Sequence, residues 1–323
     1  MVPVVLHHDA AGAPALTGEA GSLIAILKWA LPQLGWTLEF EDTVNNRAAF
    51  RNSPAVGSGY YLRVRDNAAD HTFDNYVAAV EGFSSMTDVD TGLDGFPAAT
   101  DNFFLKSPTL DATVREYTII GTDTFFWWLP NFPTLIEGHR IFGAGDYLPF
   151  DQADTTNFCI IGKESTSASA PGLYSGIEEV STASTSVGGD IHIAFKRDGS
   201  VDQDVIPLAA PNGNERGWHM GHDGVYPDPY TGSINTSRVF LGDRAENSAY
   251  VGLLPGLLAP MGNLRAGNQT DFANRQMVPA INNGKTLTDV LFLFRNISFG
   301  WTSDASLRGG AVFFDVLTDW ADW

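Results

Sequence analysis

One cysteine, Cys159, stands in 323 residues. A lone thiol forms no intramolecular disulfide, so burial alone has to hold the fold. Cys159 lies in the apolar run NFCIIG, away from any helix start or basic group, and reads as a small buried hydrophobe rather than a nucleophile. Lysine is scarce as well: Lys28, Lys106, Lys163, Lys196 and Lys285 are the full set. With 38 acidic against 19 basic residues the formal charge is −19, and no run of Lys or Arg builds a basic patch. Such a surface repels phosphate backbones, which argues against nucleic acid as a partner. Arginine carries most of the positive charge, and its planar fork suits fixed ion pairs at interfaces.

Long hydrophobic runs are missing too. The longest apolar stretch, SLIAILKWALPQL, is 13 residues with Lys28 inside, too short to span a bilayer. MVPVVLHHDA has neither the basic start nor the long apolar core of a signal peptide. The expectation is a protein made and kept in a cytoplasm, without membrane insertion. No P-loop, dinucleotide fingerprint or G-x-S-x-G occurs, and Ser175 in GLYSG has the wrong spacing for a nucleophile elbow. The reading is therefore of a non-enzyme with no cofactor. Carboxylate pairs of the kind that hydrolyse glycosides leave no mark in linear order, so that class stays open.

What is present points to strands. A chain of this length buries roughly three quarters of its extended surface. Aromatics reach 12%, and 33 Gly with 17 Pro supply many turns. One segment reads as helix, LTGEAGSLIAILKWALPQ. Thr17 is placed to cap it, with Glu19 near its positive end; Leu23, Leu27 and Leu31 form an apolar stripe with Ile24 and Ala20 beside it, and Pro32 should end it near Leu31. After it, WTLEFED, the turn Asn45-Asn46 and RAAFRN predict a hairpin. YYLRVRD alternates Tyr61, Arg63 and Arg65 against Tyr60, Leu62 and Val64, the period of a half-buried strand. NYVAAVEGF, VREYTIIG, DTFFWWLP, DYLPF, NFCIIG, DIHIAFKRDGSV, VLFLFRN and AVFFDVL follow. No βαβ rhythm appears, so the fold class is mainly β: antiparallel sheets of β-sandwich type with one N-terminal amphipathic helix. Residues 1–163 read as a helix-plus-β domain, Glu164 to Asp190 as a Ser/Thr-rich loop or connection, and 191–323 as a C-terminal β domain, or the whole as one continuous domain.

DVDTGLDGF, from Asp88 to Phe96, has the look of a calcium loop, which makes Asp88, Asp90 and Asp94 the candidate metal ligands. An EF-hand needs oxygens at positions 1, 3 and 5, Gly at 6 and an acid at 12. Starting at Asp88 puts Gly92 at 5, Leu93 at 6 and Ala99 at 12; starting at Asp90 puts Gly92 at 3 and Pro97 at 8. Neither register completes the site, and a turn whose aspartates bind their own backbone accounts for the composition. His219, His222 and Asp223 in GWHMGHDGVY would need further ligands to hold zinc. With Trp218, Tyr226 and Tyr230, interleaved with Arg216 and Asp228, they lie in the loop Pro211–Arg238, a composition suited to stacking on a sugar or meeting a protein. Phe125, Phe126, Trp127 and Trp128 predict a strand buried on both faces, in the core or against another subunit. Trp320 and Trp323 should pack down on this chain or on a partner.

Taken in order, GAPALTGEAGSLIAIL, RAAFRN, YYLRVRDNAADHTFDNYVAAVEGFSSMTDVDTGLDGFP, YLPFDQADTTNFCIIG, VGLLPGLLAPMGNL and FFDVLTDW resemble a family of uncharacterised structural proteins encoded by tailed bacteriophages. The resemblance spans nearly the whole chain. It implies a virion component attached to the tail or its tip, assembled in host cytoplasm in several copies with other virion proteins, and it brings no enzymatic residues. SMTDVDTGLDGFP corresponds there to a shared turn element. A host-receptor or surface-glycan binding module on the same particle, and a head decoration protein, are the alternatives.

Overall fold

The computed structural model describes residues 1–67, 77–95, 102–131, 142–151, 157–164, 190–193, 202–209, 234–243, 249–260, 276–282, 285–295 and 310–322. Strand β1 (Val4–His7) and helix α1 (Ser22–Leu34) precede β2 (Thr37–Asp42), β3 (Arg47–Arg51), β4 (Tyr61–Arg65), β5 (Val77–Phe83), β6 (Ser85–Met86), β7 (Gly92–Leu93) and β8 (Asn102–Leu105). Then come β9 (Glu116–Gly121), β10 (Phe125–Asn131), β11 (Phe142–Asp146), β12 (Leu148–Pro149) and β13 (Phe158–Glu164). Beyond them lie β14 (Asp190–Ile193), β15 (Asp202–Ala209), β16 (Ile234–Asp243), β17 (Ala249–Pro260), β18 (Gln276–Asn282), β19 (Lys285–Arg295) and β20 (Gly310–Phe314). Among the described residues the chain is mainly β, with antiparallel sheets and one α-helix, as its alternating apolar pattern predicts.

Two antiparallel arrays meet at β13. One runs β1-β9-β10-β11-β13; the other runs β2-β3-β4-β5-β8 and joins the far end of β13 through Lys163 and Glu164. Helix α1 connects the two outer strands β1 and β2 and packs on both. Its buried Leu23, Ile26, Leu27, Leu31 and Leu34 share one core with Phe50, Leu62, Val64, Phe104, Phe126, Trp128 and Phe158 from the two arrays. The aromatic rings meet edge-on or tilted: Trp36 on Phe126 at 5.4 Å, Tyr117 on Trp128 at 5.4 Å, Phe104 on Phe142 at 5.5 Å.

The helix departs from its sequence reading at both ends. Thr17 is not the cap; Gly21 is, at φ 81°, and the Leu23 N–H is answered from outside by the Asp66 carboxylate at 2.8 Å. Ala20 lies before the helix and is exposed. Pro32 sits inside the last turn instead of ending the helix at Leu31, because burial of Leu34 carries the chain one turn further. Gly35 then closes it at φ 102°, donating to the Pro32 carbonyl at 3.2 Å, while the Trp36 N–H reaches the Leu31 carbonyl at 3.0 Å. The hairpin at Asn45-Asn46 forms as its residues predict, with Asn46 at φ 52°.

From β13 the ladder continues through β14, β15 and β16. Strands β16, β17, β20, β19 and β18 close on themselves, the last pairing being parallel between Ile234–Thr236 and Ala280–Asn282. The inner part of the connection expected between Glu164 and Asp190 lies outside the described residues; its two ends are β13 and β14, paired side by side. Strand β10 is buried on both faces within this chain. Phe126 and Trp128 face the helix side, whereas Trp127 donates its Nε1–H to the Pro255 carbonyl at 2.8 Å and lies 5.7 Å from the Phe314 ring. Trp320 is buried, donating to the Asp315 carbonyl at 2.8 Å with its ring against Gly256; Trp323 lies outside the described residues. Among the described residues no helix is long and apolar enough to cross a membrane.

Candidate functional site

Two acidic side chains in the described residues combine deep burial with a pKa pushed far from the carboxylate range. Neither belongs to the residues singled out from the sequence. Asp66 follows β4 and is fully buried with Lys106, which follows β8. The Lys106 ammonium pairs with the Asp66 carboxylate and also donates to the Glu19 carbonyl at 2.6 Å. Asp66 in turn accepts from the Leu23 N–H, and its own carbonyl accepts from the Gly21 N–H at 2.9 Å. One buried pair thus ties β4 and β8 to the positive end of α1. Burial pushes the Asp66 carboxyl up to about 6 against the pull of Lys106, and the same burial pushes the Lys106 ammonium down.

Asp146 ends β11 and is 4% exposed. Its Oδ1 accepts from the Asn52 Nδ2 at 2.9 Å and the Ser58 hydroxyl at 2.6 Å, and its Oδ2 accepts from the Ser58 N–H at 2.6 Å. Gly57 permits this approach: a Cβ there would collide with the Asp146 carboxylate and stand 2.8 Å from the Thr124 methyl. The backbone of Asp146 bonds the Thr124 carbonyl at 2.9 Å, locking the end of β11 to the start of β10. Burial pushes the Asp146 carboxyl up to about 6, and the neighbouring Asp123 charge adds to the push. Here the donors are neutral. Ser58 gives its hydroxyl proton to the carboxylate, and no histidine among the described residues stands beside them; His7 Nδ1 instead meets the Thr118 hydroxyl at 3.0 Å.

Asp146 also lines a cleft of about 340 Å³ between the 53–60 segment, the starts of β10 and β12, and the C-terminal turn at Trp320–Asp322. Asp123 stands on its wall, and Met1, Val56, Leu148 and Pro149 give it an apolar rim. Asn157 holds that rim through its Nδ2 on the Tyr147 carbonyl at 2.6 Å. The arrangement can do two things chemically: exchange a proton near neutral pH, and offer negative charge at the base of an apolar mouth.

The aspartates of DVDTGLDGF are placed separately. Asp88 accepts the Asp90 N–H at 2.8 Å, within its own turn. Asp90 takes both of its oxygens to Arg47, at 2.8 and 2.7 Å. Asp94 sits at φ 55° and accepts the Ser84 hydroxyl at 2.6 Å. Asp88 to Thr91 belong to the turn of the small hairpin β6–β7, and Gly92 and Gly95 lie against the Phe83 ring at the end of β5. Among the described residues no three His, Cys, Asp or Glu side chains gather where they could hold a metal ion. Trp218, His219, His222, Asp223, Tyr226 and Tyr230 lie outside the described residues. Cys159 is buried, and burial pushes its thiol well up, away from the reactive thiolate.

One signal for Asp66 and Lys106 was present in the sequence: a lysine inside NFFLKSP, in a chain with so few, is a charge that strand burial would have to pair. Asp146 had none, since Ser58 and Asn52 are separated from it by 88 and 94 residues. No protein-family model matches the chain, and no curated protein matches it.

Proposed function

We propose that this chain is a non-enzymatic structural component of a tailed-phage virion, associated with the tail or its tip and working in several copies. The observation that carries this reading is where the phage-like segments fall. Several of them are framework: GAPALTGEAGSLIAIL runs into α1, RAAFRN is β3, YYLRVRD is β4 with the buried Asp66, and NFCIIG is the strand shared by both arrays. A likeness that takes in these core strands fits a building part. The formal charge of −19 supports solubility until assembly.

Two measurements test it. Light scattering on the purified protein, with and without EDTA, is expected to give a closed multiple of 34.9 kDa that EDTA leaves unchanged. Immunogold labelling of gradient-purified particles is expected to mark the tail. Particles that lack the protein altogether, or release of reducing ends from host polysaccharide by the purified chain, would overturn the reading.

A further inference from the structure

The Asp123–Asp146 cleft has charge without a counter-charge. Among the described residues no lysine, arginine or histidine lines it. The one cation that does, the Met1 ammonium, is paired with Asp319. Asp146 is answered only by the neutral donors of Ser58 and Asn52, and no described donor reaches the Asp123 carboxylate. Asn52, fully buried behind the cleft lining, braces both Asp146 and Ser58. Above these groups the mouth is apolar and open to solvent, with Met1 54% and Val56 67% exposed.

We infer that this cleft receives the side chain of a lysine or arginine from a basic segment of another protein. The methylene stem would lie along Met1, Val56, Leu148 and Pro149, and the charged head would meet Asp123 above the Asp146 floor. The chemistry selects among occupants. A sugar needs an exposed ring to stack on, but Tyr147 and Trp320, the aromatic residues in the wall, are each 2% exposed. An anion is repelled by two carboxylates. A long cationic side chain matches both halves of the cleft, since its stem is apolar and its head charged. The cleft's size falls at the small end of the range for ligand pockets, ~300–1,000 Å³, which suits one side chain rather than a large ligand. The source is a different protein because a formal charge of −19 draws in a basic segment more strongly than the acidic surface of a second copy. None of this depends on the virion reading.

The test uses the full-length protein, ¹⁵N-labelled, titrated at low ionic strength with the acetylated peptide Gly-Gly-Leu-Arg-Leu-Gly-Gly and with its norleucine counterpart. The arginine peptide is expected to shift the amides of Val56 to Ser58, Asp123 to Thr124 and Tyr147 to Leu148, and the norleucine peptide to shift none of them. Asp123→Asn, at a residue that holds no described hydrogen bond through its carboxylate, is expected to keep the fold and weaken binding about fivefold, the worth of one partly exposed ion pair. Val56→Ser, on the exposed rim, should weaken it as well and serves as the second variant. Equal shifts from both peptides, no shifts at millimolar peptide, or full affinity in Asp123→Asn would each overturn the proposal. So would an oligomer of the protein alone that Asp123→Asn splits into monomers, because the occupant would then be a second copy.

Discussion

Asp66 and Asp146 are the same residue type, both buried, both pushed up to about 6 by loss of water, and the molecule answers them in opposite ways. Asp66 receives a cation, Lys106, and two helix-end amides are drawn in around the pair. Asp146 receives only a hydroxyl, an amide side chain and one N–H, and it borders an open cleft. The difference teaches that burial by itself does not assign a role to a carboxylate. Where the partner is a buried cation, the charge is consumed in holding elements together. Where the partners are neutral and a cleft stands alongside, negative potential is left over for something else.

The sharpest way to break the contrast is Lys106→Met. It leaves Asp66 buried with no cation, and unfolding in urea should show a loss of about 3–5 kcal/mol. The double variant Asp66→Asn, Lys106→Met should recover much of that, because no unpaired charge remains. A next test reads Asp146 through pH. Its carboxyl sits above the unfolded value, so the folded state holds that proton more tightly between about 4 and about 6. The contribution is therefore fully present below the unfolded pKa and is lost as pH rises through the folded one, a swing of at most about 3 kcal/mol. Subtracting the unfolding curve of Asp146→Asn from that of the wild type should isolate this slope; parallel curves would show that the carboxyl titrates normally.

A smaller effect is expected for Asp146→Ala, which strands the Ser58 N–H and the Asn52 amide at a cost of about 1–3 kcal/mol in urea midpoints. The smallest belongs to Asp90→Ala on the outer hairpin. Its ion pair with Arg47 is solvent-accessible, Asp90 being 49% exposed, so the loss should stay within about 1 kcal/mol and shrink in high salt. A loss as large as that of Lys106→Met would mean that the hairpin is anchored far more firmly than a surface ion pair allows.

Much of the scaffold was legible beforehand. The hairpin at Asn45-Asn46 and the strand YLRVR follow from period and turn chemistry, both local properties. The double burial of FFWW was legible as well, but not what would cover its second face; Pro255 and Phe314 do so from more than 120 residues away. Local reasoning failed at the ends of α1 for a related cause. Thr17 had the right chemistry for a cap, yet Asp66 supplied the acceptor from another strand, and burial of Leu34 outweighed the stop signal of Pro32. The candidate site was not legible at all, because Asn52, Ser58, Asp123 and Asp146 share no spacing that a motif could record.

By itself, then, the sequence determined the mainly β class, the helix near the N-terminus, the turn at Asn45-Asn46 and the net acidity, since these depend on neighbours a few residues apart and on summed charge. Only the tertiary structure decided which acids lose their water and which donors reach them. Those outcomes depend on strands that meet from distant parts of the chain, and desolvation is a property of the place where a side chain comes to rest, not of its neighbours in sequence.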